Sequence, residues 1–255
     1  MVLAIFLPAL VFDVMSSGDF AIIEFRWLMA ACVIVVLGSG VIAWPVSRFF
    51  NLPWRAFLPS MMFNNCGNLG LPLALLAFGE AGLAGAMVLL LVSNLLHFTL
   101  GIYMFGGAVT WLGLLLNPVN LATILGLVFN FMHWQLPDVM QVPINMMGQI
   151  VIPMMLISLG IRMVDIDLSY WKIGAIGAIV CPLSGLIFAV IAGLILPLSP
   201  EQYSYLILFS ALPPAALNFL LSERYQQEPE QVAAMVLFGN AFAAVTFSVV
   251  LWWIV

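Results

Sequence analysis

The chain has 255 residues, of which 65% are hydrophobic and 7% charged. A water-soluble domain carries about 25% charged residues, so the composition excludes a soluble globular protein and describes an all-α polytopic membrane protein. Its 6 basic and 11 acidic residues form no basic patch, which excludes a nucleic-acid partner.

A bilayer core about 30 Å thick requires about 20 helical residues per crossing. Nine segments qualify as candidates: 1–16, 26–46, 54–78, 81–106, 118–135, 139–163, 170–196, 202–224 and 230–255. The first is short and starts at Met1, with neither the basic leader nor the small-residue cleavage pattern of a removable signal peptide. Asp13, near its far end, either couples protons or marks a solvated helix end. Segment 54–78 carries the run Asn64-Asn65-Cys66-Gly67-Asn68-Leu69-Gly70-Leu71-Pro72. Three amides, two glycines and a proline cannot continue a regular helix. In hydrocarbon, irregular backbone survives only against protein or a wet cavity, so a midplane binding site built from half-helices is expected here.

Segment 81–106 places Asn94 and His97 near mid-membrane. An ionisable residue there is a functional candidate by default; the alternative is a neutral imidazole bonded to a neighbouring carbonyl. The connection 107–117 carries no charge and reads as a short interfacial piece or an extension of its neighbours. His133 and Trp134 close segment 118–135 as interfacial anchors. Met146, Met147, Met154 and Met155 in segment 139–163 are packing filler. Pro213, Pro214 and Asn218 interrupt segment 202–224, and Asn240 lies on the helix after it. Cys32, Cys66 and Cys181 fall in apolar segments without a CxxC pair, which argues against a disulfide or zinc framework. No metal-ligand cluster, phosphate-binding loop or nucleophile–base pair is present, so metal and cofactor sites, ATP-driven pumping and enzymatic chemistry are unsupported.

Arg48, Arg55, Arg162, Lys172 and Arg224 fall on one side and Arg26 alone on the other. The positive-inside rule puts loops 47–54, 107–117, 164–169 and 225–229 in the cytoplasm. Glu80, Asp138, Glu201 and the C-terminus are then outside. Glu80 followed by Ala86-Met87-Val88-Leu89 repeats as Glu228 followed by Ala234-Met235-Val236-Leu237 at a constant offset. Leu7-Pro8-Ala9-Leu10 and Ile152-Pro153-Met154-Met155 also occupy corresponding places. Glu80 and Glu228 lie on opposite sides, so the repeats are inverted, as in many carriers. The expected layout is a single domain, with repeat one at 1–106 (four helices) and repeat two at 118–255 (five helices).

With these motifs in order, the chain resembles the auxin efflux carrier family, which includes PIN-type plant exporters and bacterial carriers of malate, malonate and related organic anions. The resemblance rests on Leu7-Pro8-Ala9-Leu10-Val11-Phe12, on Asn65 followed by Leu69-Gly70-Leu71-Pro72, and on Asn117-Pro118 with Ile152-Pro153 and Leu159-Gly160. Leu212-Pro213-Pro214-Ala215-Ala216-Leu217-Asn218 and Glu223-Arg224-Tyr225 complete it. It implies ten helices in two inverted five-helix repeats with the fourth and ninth crossing; the first family helix has no counterpart here. Asn218 stands where plant members tend to carry proline, which places the chain on the bacterial side, in an inner membrane.

The expected function is secondary transport of small organic anions such as carboxylates by alternating access. Asn65 is the leading binding residue, with Asn64 and Asn68 beside it as ligand or cap. Gly67, Gly70 and Pro72 shape the first break, and Pro213, Pro214 and Asn218 form its partner. Asn94, Asn240, His97 and Asp13 are candidates for cavity lining or proton coupling, Asn94 and Asn240 alternatively serving as glue between helices. The expected partners are the anion and the lipid bilayer, with a second copy in a homodimer as a further candidate. The rival functions are a sodium-coupled symporter of the bile-acid or arsenite-carrier type and a non-transporting membrane sensor of the same fold.

Overall fold

Apolar runs bounded by Pro, Asn and Ser set the helices seen in the structure, a computed structural model that describes residues 5–17, 21–162 and 168–254. The helices are α1 (Leu7–Ser16), α2 (Arg26–Phe49), α3 (Trp54–Met62), α4 (Leu71–Leu96), α5 (Ile102–Met104) and α6 (Trp111–Leu115). They continue with α7 (Pro118–Phe131), α8 (Asp138–Arg162), α9 (Trp171–Ile195), α10 (Pro200–Ser210), α11 (Ala216–Arg224) and α12 (Pro229–Ile254). Wide π-turns at Cys66–Gly70 and His97–Gly101 flank α4. Four helical runs among the described residues are long and apolar enough to cross a membrane, with mean hydropathy between 2.0 and 2.5. The protein is thus an all-α polytopic membrane protein. Residues 1–4 of the expected first segment, 163 of the expected segment 139–163 and 164–167 of the expected 164–169 loop lie outside the described residues, as does the Arg162 side chain.

Local chemistry fixes the helix ends. Asn117 caps α7, its Oδ1 accepting from the Val119 N–H at 3.0 Å, with Pro118 at the first helical position. Ser199 caps α10 by accepting from the Gln202 N–H at 3.2 Å, again followed by proline. Both pairings supply an acceptor to an orphan donor and a preset φ to the first turn. Connection 107–117 forms the separate short helix α6, with Leu112, Leu115 and Leu116 exposed and Leu114 buried.

Gly79 separates the expected segments 54–78 and 81–106. Its φ of 67° and ψ of −157° interrupt α4, a conformation essentially reserved for glycine. The chain therefore reverses at Gly79-Glu80 with almost no loop.

Connections alternate between two faces. The Glu80 face gathers Ser17, 21–25, 79–81, 132–137 and 196–200, all contributing to one cavity. On the opposite face, Gly106 lies beside Arg55 and Gln227. The interrupted helices α3–α4 and α10–α11 run in opposite directions where they pass each other.

Two bundles result. Helices α1, α7 and α8 pack together; α2, α3, α4, α9, α10, α11 and α12 form the second group. Helix α8 meets the second group at the Cys66–Gly70 turn and at α4. Leu7, Leu10, Val11 and Met15 of α1 recur at helical spacing and are all buried. Each residue of this type stabilises by about 1.5–3 kcal/mol when fully removed from water; against lipid the gain comes instead from packing.

Candidate functional site: a crossing of two unwound helices

Helix α3 stops at Met62, and α10 stops at Ser210. Between each stop and the next helical turn, the backbone is extended, and the two stretches pass each other antiparallel at Asn64 and Pro214. The Asn65 N–H donates to the Pro213 carbonyl at 2.7 Å, and the Ala215 N–H donates to the Phe63 carbonyl at 3.0 Å. These are the freed groups of two broken helices satisfying one another, which makes a break at this depth tolerable.

Side-chain amides complete the junction. Asn64 Nδ2 donates to the Phe209 carbonyl at 2.6 Å, and Asn218 Nδ2 to the Phe63 carbonyl at 2.8 Å. Asn65 Nδ2 donates to Asn240 Oδ1 at 2.8 Å. Asn240 in turn donates to the Val236 and Pro214 carbonyls at 2.7 and 3.4 Å. Pro213 and Pro214, with no N–H, contribute carbonyl acceptors. Gly70 permits close approach, since a Cβ there would lie 2.9 Å from Leu212 Cδ1. Pro72 falls in the first turn of α4, where its missing N–H costs nothing.

A cavity of about 70 Å³ lies beside this junction. Asn64, Asn65, Asn68, Asn94 and His97 supply its polar lining, with Gly67 and Leu7 of α1 among the rest. The site thus sits between the crossing and the α1 bundle. The start of the Cys66–Gly70 turn and Ala215–Leu217 at the start of α11 also line it. The backbone N–H groups of Asn68, Ala216 and Leu217 have no backbone acceptor among the described residues. Two positive half-helix ends and several amides converge there, a combination suited to negative charge. Of the expected residues, Gly70, Pro72, Pro213, Pro214, Asn218 and Asn240 brace the junction and lie outside the cavity wall.

The sequence reading missed Phe63. Its ring stacks on the His97 imidazole, centroids 4.2 Å apart and planes within 5°. The signal available was Pro59, whose carbonyl accepts from the Phe63 N–H at 2.9 Å and ends α3 there.

Asp13 lies away from the crossing, on the wall of a cavity of about 880 Å³ opening at the Glu80 face. Glu24, Glu80, Asp138 and Glu201 share that wall. Asp13 is tied rather than merely solvated: its two carboxylate oxygens accept from Gln141 Nε2 at 2.6 Å and Asn145 Nδ2 at 2.9 Å, joining α1 to α8. The backbone N–H of Glu201, then the Ser199 hydroxyl at 2.8 Å, hold the exposed Glu201 carboxyl below the usual carboxylate range. The described residues include no group of His, Cys, Asp and Glu able to hold a metal ion.

Crossed, broken helices of opposite direction around a small polar cavity define the architecture of a membrane carrier. Residues 107–251, more than half the chain, match the family described as "Membrane transport protein". The chain belongs to that family, the auxin efflux carriers of the sequence resemblance. It is also similar to Auxin efflux carrier component 8 of Arabidopsis thaliana, 25% identical over 143 residues. That match covers 53% of this chain and 39% of the plant protein, so the chain spans about two fifths of the relative's length.

Proposed function

We propose that the protein is a secondary carrier of small organic anions, carboxylates above all, working by alternating access across a bacterial inner membrane. The observation that carries this reading is the junction of Phe63–Asn65 with Pro213–Ala215, with both half-helix N-termini at one cavity. Among the described residues no Lys or Arg lines that cavity; recognition falls to the Asn65, Asn68 and Asn94 amides and to backbone N–H groups. Each amide–carboxylate hydrogen bond is charge-assisted and about twice as strong as a neutral one.

Motion of the α1–α7–α8 bundle against the second bundle would open the cavity to each face in turn. The narrow contact between the two groups supports such rocking about a fixed site. In this reading the Arg48 face lies in the cytoplasm and the C-terminus outside, an orientation the positive-inside rule supports.

Counterflow in proteoliposomes tests the reading. Vesicles preloaded with malate, malonate or indole-3-acetate are expected to take up the labelled acid in a saturable manner. Saturable binding without counterflow of any acid would instead mark a sensor. Uptake that requires a sodium gradient and is indifferent to other cations would mark a sodium symporter.

A further inference from the structure

We propose that His97 takes up a proton together with the bound carboxylate, so that the site carries anion and proton as a pair. This inference rests on the anion-carrier reading and names its coupling ion. The observation behind it is a local shortage of hydrogen-bond donors. Asn64 Oδ1, His97 Nε2 and Asn218 Oδ1 are buried polar atoms without a hydrogen-bond partner. The orientations of both amides are fixed, because their Nδ2 groups donate to the Phe209 and Phe63 carbonyls. The two oxygens can therefore only accept. His97 is 3% exposed and Asn218 0%, and the Asn218 amide lies alongside the imidazole. A hydrogen on Nε2 of the neutral ring supplies the missing donor to these two oxygens, which leaves Nδ1 as the nitrogen that takes up a second proton when the anion binds.

The imidazole is also held in place for that role. His97 opens a π-turn, His97–Gly101, a wide turn often found at functional sites. Gly101 leaves the space that the Phe63–His97 stack fills: a Cβ there would lie 2.6 Å from His97 Cδ2 and 3.0 Å from Phe63 Cε2. The ring faces the same cavity as Asn65, Asn68 and Asn94.

The surroundings leave no competing counter-charge. The cavity is lined by α1 through Leu7, the crossing through Asn64 to Asn68, α4 through Leu90 and Asn94, and α11 through Leu220. Of these, the Cys66 thiol is the titratable group, and no Asp, Glu, Lys or Arg is among them. A bare carboxylate there would lack a cation, which a buried charge requires. Protonated His97 provides it. The proton comes from water on the face where the anion enters, resides on the second ring nitrogen so that His97 is imidazolium, and returns to water on the face where the anion leaves. A monocarboxylate then moves without net charge.

His97 and His133 are the two histidines of the chain, so His133→Gln leaves one imidazole to observe. The experiment uses that variant, labelled with 15N-histidine, in nanodiscs between pH 6 and 8, with indole-3-acetate or malonate as probe. Adding the acid is expected to convert the His97 15N signals from neutral to protonated. Binding should tighten by up to about tenfold per pH unit of acidification, the slope for one linked proton. His97→Gln should retain the weak high-pH affinity and lose that slope, any residual slope belonging to the acid itself. Binding that leaves His97 neutral, with affinity independent of pH, overturns the proton and leaves the anion reading standing. Sodium-dependent, pH-independent binding overturns it in favour of sodium on the orphan oxygens. Absence of binding by either acid at every pH overturns both readings. The NMR readout on native His97 decides the matter even if His97→Gln does not fold.

Discussion

Asn65→Ala separates bracing from binding, because Asn65 does both in this geometry. Its Nδ2 gives a 2.8 Å hydrogen bond to Asn240 Oδ1, and the residue is 3% exposed. Truncation strands the Asn240 oxygen in a buried setting, at a cost of about 1–3 kcal/mol. Asn240 keeps its bonds to the Val236 and Pro214 carbonyls, so the fold should survive with a lower melting temperature. Asn240→Ala should cost a similar amount. The double variant should cost less than the two singles together, with a coupling of about 0.5–3 kcal/mol for residues in contact. Thermal unfolding in detergent measures this cycle. Anion affinity measures the other half. If Asn65 also touches the carboxylate, Asn65→Ala weakens binding of malonate or indole-3-acetate by about tenfold beyond Asn240→Ala, equivalent to about 1.4 kcal/mol. Additive stabilities would refute the inter-helix bond. Equal affinities in both single variants would refute Asn65 as a ligand and leave it a brace.

Three further outcomes follow from single distances and angles. Gly70→Ala places a methyl 2.9 Å from Leu212 Cδ1 and should cost about 1–3 kcal/mol by overpacking; adding Leu212→Ala should recover part of it in the same melting assay. Gly79→Ala meets nothing within 4 Å, yet its φ of 67° and ψ of −157° should still cost about 1–3 kcal/mol through backbone strain alone, with no rescue from a neighbouring side chain. Ser199→Ala removes one donor to Glu201, so carboxyl NMR should show the Glu201 pKa rising toward the usual range. Because that pKa is depressed in the folded chain, its contribution is present above the unfolded value and lost as pH falls through the folded one. The variant should therefore lose part of that contribution at neutral pH, and its deficit from the carboxyl should shrink as Glu201 protonates in acid.

The parts of this fold that were legible in the sequence are those dictated by solvent. Hydrocarbon requires long apolar helices, and the expected segments 26–46, 170–196 and 230–255 appear as α2, α9 and α12 within a few residues. The break at Asn64–Pro72 was legible because amides, glycines and proline cannot continue a helix. What joins it to Pro213–Ala215 was not, since the register of two segments far apart in the chain depends on how they pack. Asn240 shows the limit: its sequence admits either cavity lining or glue, and only the crossing reveals the Asn65 contact. Asp13 is similar, because its two amide partners stand on α8 and no local pattern points to them.

The junction also explains why the two breaks differ in composition. An antiparallel crossing needs a donor and an acceptor from each stretch. The first break supplies the Asn65 N–H, and Pro213 receives it through a carbonyl beside a nitrogen that can donate nothing. The second break returns the Ala215 N–H and the Asn218 amide to a single acceptor, the Phe63 carbonyl. Identical repeats with asparagines at both breaks would duplicate donors and leave carbonyls competing for them. Two asparagines facing two prolines settle the count for the backbone. The amide oxygens of Asn64 and Asn218 are the remainder of that settlement, two buried acceptors left for the one nearby unpartnered ring nitrogen, His97 Nε2.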